Sequence, residues 1–252
     1  MPERAHKIFR ILTLNQISPL GLKLFDPHHY TVGNDVAEPD AILVRSHNML
    51  QMDIAPSVKA IGRAGAGTNN VPVKDMNLRG VPVFNAPGAN ANAVKELVLA
   101  GLLMASRNLI PAIRFAEDLQ GDNATLHKLA ESGKKQFAGI ELPGRTLGIV
   151  GLGAVGRLVA DAALRLGMKV MGYDPNITVD AAWNLSAEVK RAESMEDLLR
   201  NSEFVTLHVP LVDATRHLIS HKLVSNMKAG TILLNFSRDG IVDESAVLEG
   251  ID

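Results

Sequence analysis

The run Thr146-Leu-Gly-Ile-Val-Gly-Leu-Gly-Ala-Val-Gly156 decides the fold. It begins as an apolar strand, and Gly151, Gly153 and Gly156 then spell G-x-G-x-x-G at the mouth of a helix expected over Arg157 to Leu166. Each glycine has its own task. Gly151 permits a tight turn, Gly153 lets a pyrophosphate approach the backbone, and Gly156 lets helix and strand pack closely. The helix N-terminus adds free N–H groups and the positive end of a dipole. A further strand, Lys169-Val-Met-Gly-Tyr-Asp174, ends in an acid about 20 residues past the motif, the position from which a carboxylate binds the adenosine ribose hydroxyls. Strand, loop, helix, strand and acid together read as a dinucleotide site. Asp174 also repels a ribose 2′-phosphate, and no arginine follows it directly, so NAD is expected rather than NADP.

Working outward, short β-branched and apolar runs alternate with stretches of helical spacing along the whole chain, the pattern of a parallel α/β sheet. Strands are expected at Ile8 to Leu14, Ala41 to Arg45, Val58 to Arg63 and Val81 to Asn85, then at Thr146 to Gly151, Lys169 to Asp174, Phe204 to Val209 and Thr231 to Phe236. Leu147-Gly-Ile-Val and Thr231-Ile-Leu-Leu-Asn are apolar on both faces, as strands of a doubly covered central sheet must be. The helix Ala93 to Asn108, with Asn90 or Asn92 as its cap, is apolar almost all round and is expected to be buried between two halves. The polar stretch from Glu117 to Gly139 reads as a connecting excursion. The boundary falls near Pro87 to Asn92, which gives two doubly wound α/β domains, flavodoxin-like or Rossmann-like, at 1–89 and 90–252.

Composition narrows the functions. The 252 residues are 46% hydrophobic and 21% charged, a globular balance, and 26 basic against 27 acidic residues leave no basic excess for nucleic acid. Without cysteine there is no disulfide framework, thiol nucleophile or Cys-ligated metal. No apolar run reaches the roughly 18 residues of a membrane span, and no signal-peptide core follows Met1, so a cytoplasmic protein with no membrane or nucleic-acid partner is expected.

Two further segments point to anions. Gly62-Arg-Ala-Gly-Ala-Gly-Thr-Asn-Asn comes off a strand end and offers backbone N–H groups beside Arg63, a setting for a carboxylate or, equally, an ordinary glycine-rich turn. Arg238 follows the strand Thr231 to Phe236, on the side where doubly wound sheets bind ligands. His217 and His221, with Asp213 nearby, would face one another as metal ligands if that segment were helical, although Ser220 and His221 look like a helix start; no metal is expected.

Taken together, Val44-Arg-Ser, Gly62-Arg-Ala-Gly-Ala-Gly, Asn85-Ala-Pro-Gly-Ala-Asn, Gly151-Leu-Gly-Ala-Val-Gly, Tyr173-Asp-Pro, Leu207-His-Val-Pro-Leu and Asn235-Phe-Ser-Arg-Asp-Gly-Ile-Val-Asp-Glu resemble the D-isomer-specific 2-hydroxyacid dehydrogenases in one unbroken order. The resemblance implies NAD-linked hydride transfer at C2 of a 2-hydroxy acid, here 3-phosphoglycerate. It implies that Arg238 is the catalytic arginine on the substrate carboxylate and that backbone at Gly65 and Ala66 meets the same group. It places Ala154 and Val155 at the pyrophosphate, Val209 and Pro210 on the adenine side, and Phe236 and Ser237 on the nicotinamide side. Arg45 and Arg63 match the basic residues of members whose substrate is phosphorylated. It further implies a homodimer or tetramer, and a histidine–glutamate acid–base pair after the arginine segment. The chain ends at Asp252 before either position, so the second domain is expected to be incomplete at its carboxyl end, with NAD binding but impaired turnover. Another 2-hydroxy acid as substrate, or a non-catalytic NAD sensor, are the alternatives.

Overall fold

A computed structural model describes residues 7–251 and divides the chain into two compact units, Met1–Asn90 and Ala91–Asp252. The first holds a five-stranded parallel sheet of β1 (Phe9–Leu14), β2 (Tyr30–Gly33), β3 (Ala41–Val44), β4 (Ala60–Arg63) and β5 (Val83–Phe84), in the order β2-β1-β3-β4-β5, with helices α1 (Pro19–Leu22) and α2 (Val73–Leu78). Its core gathers Ile42, Val44, Met49, Ile61 and Met76. The start of the sheet is knitted by Asp40, whose carboxylate accepts the Arg10 N–H at 3.0 Å and pairs with Lys59 at 2.6 Å. These contacts, the Lys59 hydrogen bond first, hold the Asp40 carboxyl down at about 2.

The second unit opens with α3 (Ala91–Ser106), α4 (Leu109–Glu117) and α5 (Asn123–Gly133). There follow β6 (Thr146–Val150), α6 (Ala154–Arg165), β7 (Lys169–Tyr173), α7 (Val179–Trp183), β8 (Lys190–Arg191), α8 (Met195–Asn201), β9 (Phe204–Leu207), α9 (His221–Val224), β10 (Ile232–Asn235) and α10 (Glu244–Ile251). All strand pairs are parallel, in the order β10-β9-β6-β7-β8. The central strands are buried on both faces: Leu147, Ile149 and Phe204 pack with Val98, Leu102 and Val159, while Val150, Val205 and Leu207 pack with Leu198 and Leu199. Both units are doubly wound α/β sheets, and in each the strand order reverses between two neighbouring strands, at β1/β3 and at β6/β9.

The structure departs from the expectations at five points. Among the described residues the strand ending at Phe236 stands at the edge of its sheet, so β10 has a neighbour on one side there and of its residues Leu234 alone is buried. The edge strands β2 and β8 were not foreseen, because Tyr30–Gly33 and Lys190–Arg191 are too short or too polar to show an apolar run. Helix α3 buries only Ala91, Val98, Leu102 and Ser106, whereas Leu97, Leu103 and Met104 are exposed, so its second apolar face is not core. Asn92 lies inside that helix and hydrogen-bonds Glu96 and Lys95, which removes it as a cap. The excursion after Glu117 contains α5, capped where the Asp122 side chain accepts the Thr125 N–H at 2.8 Å. No single helix among the described residues is long and apolar enough to cross a membrane.

Candidate dinucleotide and anion sites

In the second unit the chain leaves β6 at the reversal of strand order, where Val150 is registered with Leu207 of β9. Gly151 then takes φ +90°, a left-handed conformation that costs glycine little, and donates its N–H to the Tyr173 carbonyl at 2.9 Å. A Cβ here would lie 2.7 Å from the His208 carbonyl oxygen and 2.9 Å from Val209 Cγ1, so this turn and the end of β9 exclude any side chain. At Gly156 a Cβ would come within 2.0 Å of the Gly151 carbonyl, which is the close helix–strand packing that the third glycine of the motif serves. Gly153 differs: a Cβ there would meet nothing within 4 Å. That open side is where a phosphate fits. Helix α6 begins at Ala154 with no side chain capping it, so its first-turn N–H groups face a ligand or water. The Val155 side chain packs on the core, which leaves the backbone of Ala154 and Val155 as the polar surface of the loop. Open space at Gly153, an uncapped twelve-residue helix and a glycine-only turn fit a dinucleotide pyrophosphate.

Asp174 ties this loop to the end of β7. One carboxylate oxygen accepts the Leu152 N–H at 2.9 Å and the other the Asn176 N–H at 3.0 Å. Each oxygen keeps a lone pair for a ribose hydroxyl. Beside it lies a concavity of about 390 Å³ lined by Leu152, Pro175, Ile177 and Leu185, with Lys190 and Arg191 of β8 on its rim. Those two cations are missing from the sequence reading, because they lie on the unforeseen edge strand and only the sheet register brings them to Asp174. Across the reversal, Val209 is half-buried and Pro210 exposed. His208 donates its backbone N–H to Val150, and its Nε2 lies 3.0 Å from the hydroxyl of the fully buried Thr206. Burial pushes the His208 imidazole down to about 4.

The segment after β10 is braced by Asn235, whose side-chain oxygen accepts the Ser237 N–H at 3.0 Å and whose amide donates to the Arg238 carbonyl at 2.7 Å. The Ser237 hydroxyl donates to the Leu207 carbonyl at 2.8 Å and so joins the ends of β10 and β9. Arg238 emerges from this bracket exposed, one guanidinium nitrogen donating to the Ser237 carbonyl at 2.7 Å. The Phe236 ring lies against α3, where a Gly101 Cβ would meet it at 3.0 Å, and lines an apolar groove with Leu97, Met104 and Ile110. Asn235 carries no signal in the sequence that marks it as the brace.

In the first unit the reversal between β1 and β3 is where Leu14 and Val44 end their register. Beyond them Asn15, Gln16, Arg45 and Ser46 line an open concavity of about 440 Å³, and Asn15 holds φ +63°, unusual for a residue with a side chain. At the end of β4, Gly65 takes φ +150° and the Arg63 guanidinium lies against it, so near that a Cβ at Gly65 would overlap the guanidinium. The Gly65 carbonyl accepts the Ala86 N–H at 3.0 Å and the Ala66 carbonyl accepts the Asn85 amide at 2.7 Å. The structure therefore brings Arg45 into the reversal concavity and folds Arg63 onto the glycine turn.

The paired-histidine arrangement does not form. His217 has φ +50° and lies outside any helix, α9 starts at His221, and the His221 side chain meets Glu249 at 3.0 Å. Among the described residues no group of three or more His, Asp or Glu side chains is placed to hold a metal ion.

Comparisons with known proteins bear on the family. Residues 99–252 match the family profile described as D-isomer specific 2-hydroxyacid dehydrogenase, NAD binding domain. A D-3-phosphoglycerate dehydrogenase of Methanocaldococcus jannaschii is 36% identical over 86% of this chain, which spans 39% of that protein. A hydroxypyruvate reductase of Thermotoga maritima is 34% identical over 86% of this chain and 66% of its own length. Among solved structures, D-lactate dehydrogenase from Aquifex aeolicus complexed with NAD and lactic acid superposes with a TM-score of 0.73 at 25% identity, covering 96% of this chain and 73% of that one. The chain thus spans about two fifths of the first of these relatives and about two thirds of the second.

Proposed function

The chain belongs to the D-isomer specific 2-hydroxyacid dehydrogenase family, and from that premise we propose that it serves the NAD-linked oxidation of D-3-phosphoglycerate to 3-phosphohydroxypyruvate, the step that leads toward serine. The observation that carries the reading is the gathering of the glycine loop, Asp174 and the braced Arg238 at the carboxyl ends of one parallel sheet. When bound, NAD supplies the hydride acceptor. The residues of the chain supply binding and orientation. Gly151 to Gly156 hold the pyrophosphate, Asp174 the ribose, and Val209, Pro210, Phe236 and Ser237 flank the two ends of the cofactor. Arg238 grips the substrate carboxylate and polarises the oxygen at C2, with the Ala66 backbone N–H as a further donor; the Gly65 N–H is already given to the Arg63 carbonyl at 2.8 Å. In the first unit Arg45, with Arg63, takes the substrate phosphate through charge-assisted hydrogen bonds.

We further infer that the chain binds NAD with little turnover: alcohol oxidation needs a base working near neutral pH, and burial holds His208, at the end of a central strand, at about 4, which takes that histidine out of the role. A homodimer or tetramer covering the exposed face of α3 and α4, and a cytoplasmic setting, complete the proposal. A second reading, an unphosphorylated 2-hydroxy acid, draws support from the Arg63 guanidinium lying on Gly65, which leaves Arg45 as the one cation lining the reversal concavity.

Calorimetric titration separates these readings. NAD is expected to bind saturably, and the NAD-saturated chain is expected to bind 3-phosphoglycerate about tenfold or more tighter than D-glycerate, an advantage that Arg45→Ala removes. Equal affinity for the two acids overturns the phosphorylated assignment in favour of the second reading, and a chain that binds no NAD overturns both.

A further inference from the structure

The adenosine end of the cofactor site carries a charge that the motif does not explain. In the register of β7 with β8, Gly172 stands opposite Arg191 and Met171 opposite Lys190. Paired residues of a parallel sheet share a face, and residues two apart on one strand share it too. Arg191 therefore lies on the face of Gly172 and Asp174, and Lys190 on the other. From a strand spacing of about 4.8 Å and a rise of about 3.3 Å per residue, the Cα atoms of Arg191 and Asp174 are roughly 8 Å apart, within the span of a guanidinium side chain. Asp174, Lys190 and Arg191 all line one concavity, with Gly172 between them.

The partners of the two groups differ. Both oxygens of Asp174 already accept backbone N–H groups, from Leu152 and Asn176, so its charge is partly met by the protein and its position is fixed. Arg191 is exposed, and no hydrogen bond or ion pair engages its side chain among the described residues. Lys222 and Lys228, by contrast, are paired with Glu196 and Glu203. A fixed anion and an unengaged cation thus flank the place where the ribose hydroxyls go. For an added phosphate at comparable distance from both, the repulsion from one unit charge and the attraction to the other cancel to first order. The guanidinium fork also supplies donors that match a phosphate.

We propose that Arg191 is a specificity-determining residue of the cofactor site. It seats a ribose 2′-phosphate, so that the chain binds NADP as well as NAD, and cofactor choice is set by Asp174 and Arg191 jointly rather than by Asp174 alone. The inference rests on the reading of Asp174 as the ribose acid.

The test is a set of dissociation constants, read by calorimetry without turnover, for NAD, NADP, 5′-AMP and 2′,5′-ADP. NADP is expected to bind the wild-type chain within about tenfold of NAD. Arg191→Ala is expected to lower the NADP to NAD affinity ratio about tenfold, the loss of one charge-assisted contact, with the same change in the ratio of 2′,5′-ADP to 5′-AMP. Asp174→Ser is expected to raise both ratios. Arg191 is exposed, so its loss is compatible with folding, and Arg191→Gln provides a second substitution of similar length. NADP binding more than about a hundredfold weaker than NAD, or ratios that do not move in either Arg191 variant, overturns the proposal while leaving the NAD site intact. Absence of NAD binding in the wild-type chain would instead remove the reading on which it rests.

Discussion

Single residues divide here into those that hold the fold and those that leave room for a ligand, and the three motif glycines separate the two. At Gly156 an added methyl would sit 2.0 Å from a backbone oxygen, a clash that the packed turn cannot relieve by rotamer change. Gly156→Ala is expected to cost about 3 kcal/mol or more in urea unfolding. Gly153 has nothing within 4 Å of the same methyl and an ordinary backbone conformation, φ −69° and ψ −160°. Gly153→Ala is expected to keep stability within about 0.5 kcal/mol and to weaken NAD about tenfold or more in a calorimetric titration, because the methyl occupies the space of the phosphate. Equal effects of the two substitutions on stability would contradict the division. His208 makes the second residue-scale prediction. Its folded value of about 4 lies below the ordinary 6.5, so between these values the unfolded chain binds a proton that the folded chain refuses. Stability is therefore full above pH 6.5 and falls by about 3 kcal/mol as the pH drops to 4. The Asp40 contribution is lost lower, from 3.8 down to about 2, so the two windows do not overlap. His208→Asn is expected to flatten the upper window in denaturation curves measured from pH 7 to 4.

Among the elements, the turn after β10 shows how a neutral side chain sets the place of a charged one. Asn235 bonds both the Ser237 N–H and the Arg238 carbonyl, and Ser237 bonds across to β9. Asn235→Ala removes two exposed hydrogen bonds, worth about 1 kcal/mol each, so the expected loss in thermal stability is small. The affinity of the NAD-saturated chain for a 2-oxo acid is expected to fall about tenfold, with NAD binding changed by less than about twofold. An unchanged oxo-acid affinity would show that Arg238 orients itself. This brace also marks the limit of what the amino-acid sequence discloses. Glycines and the acid after β7 were legible because backbone geometry demands those residue types at that spacing. The buried strands β6 and β9 were legible because a strand covered on both faces is apolar throughout. By contrast β8 is Lys190–Arg191, exposed and two residues long, and nothing local distinguishes it from a loop. Helix α3 was over-read as core because composition records that Leu97, Leu103 and Met104 are apolar and not which face lacks a neighbour. Arg45 and Arg63 lie on adjacent strand ends, and their different settings depend on side-chain packing against Gly65 that no pattern encodes.

For the whole molecule the exposed apolar surface is the consequence to be explained. Within the second unit, Leu97, Leu103 and Met104 of α3 and Leu109, Ile110 and Ile113 of α4 are all exposed, and with Phe236 several of them bound an apolar groove of about 470 Å³. Monomeric soluble proteins rarely leave a contiguous apolar patch beyond a few hundred Å² uncovered. The cheapest symmetric cover is a second copy of the same face, because a two-fold axis makes one patch serve both partners. The chain is therefore expected to sediment as a dimer, or a tetramer built from it, at micromolar concentration. Leu97→Glu combined with Ile113→Glu places two charges in a surface that must lose its water on association. That pair is expected to yield a monomer whose melting temperature is the same at high and low protein concentration, whereas that of the wild-type chain rises with concentration by mass action. A wild-type chain that is monomeric at tens of micromolar would require some other cover for α3 and α4. Unchanged assembly in the double variant would place the interface elsewhere on the unit.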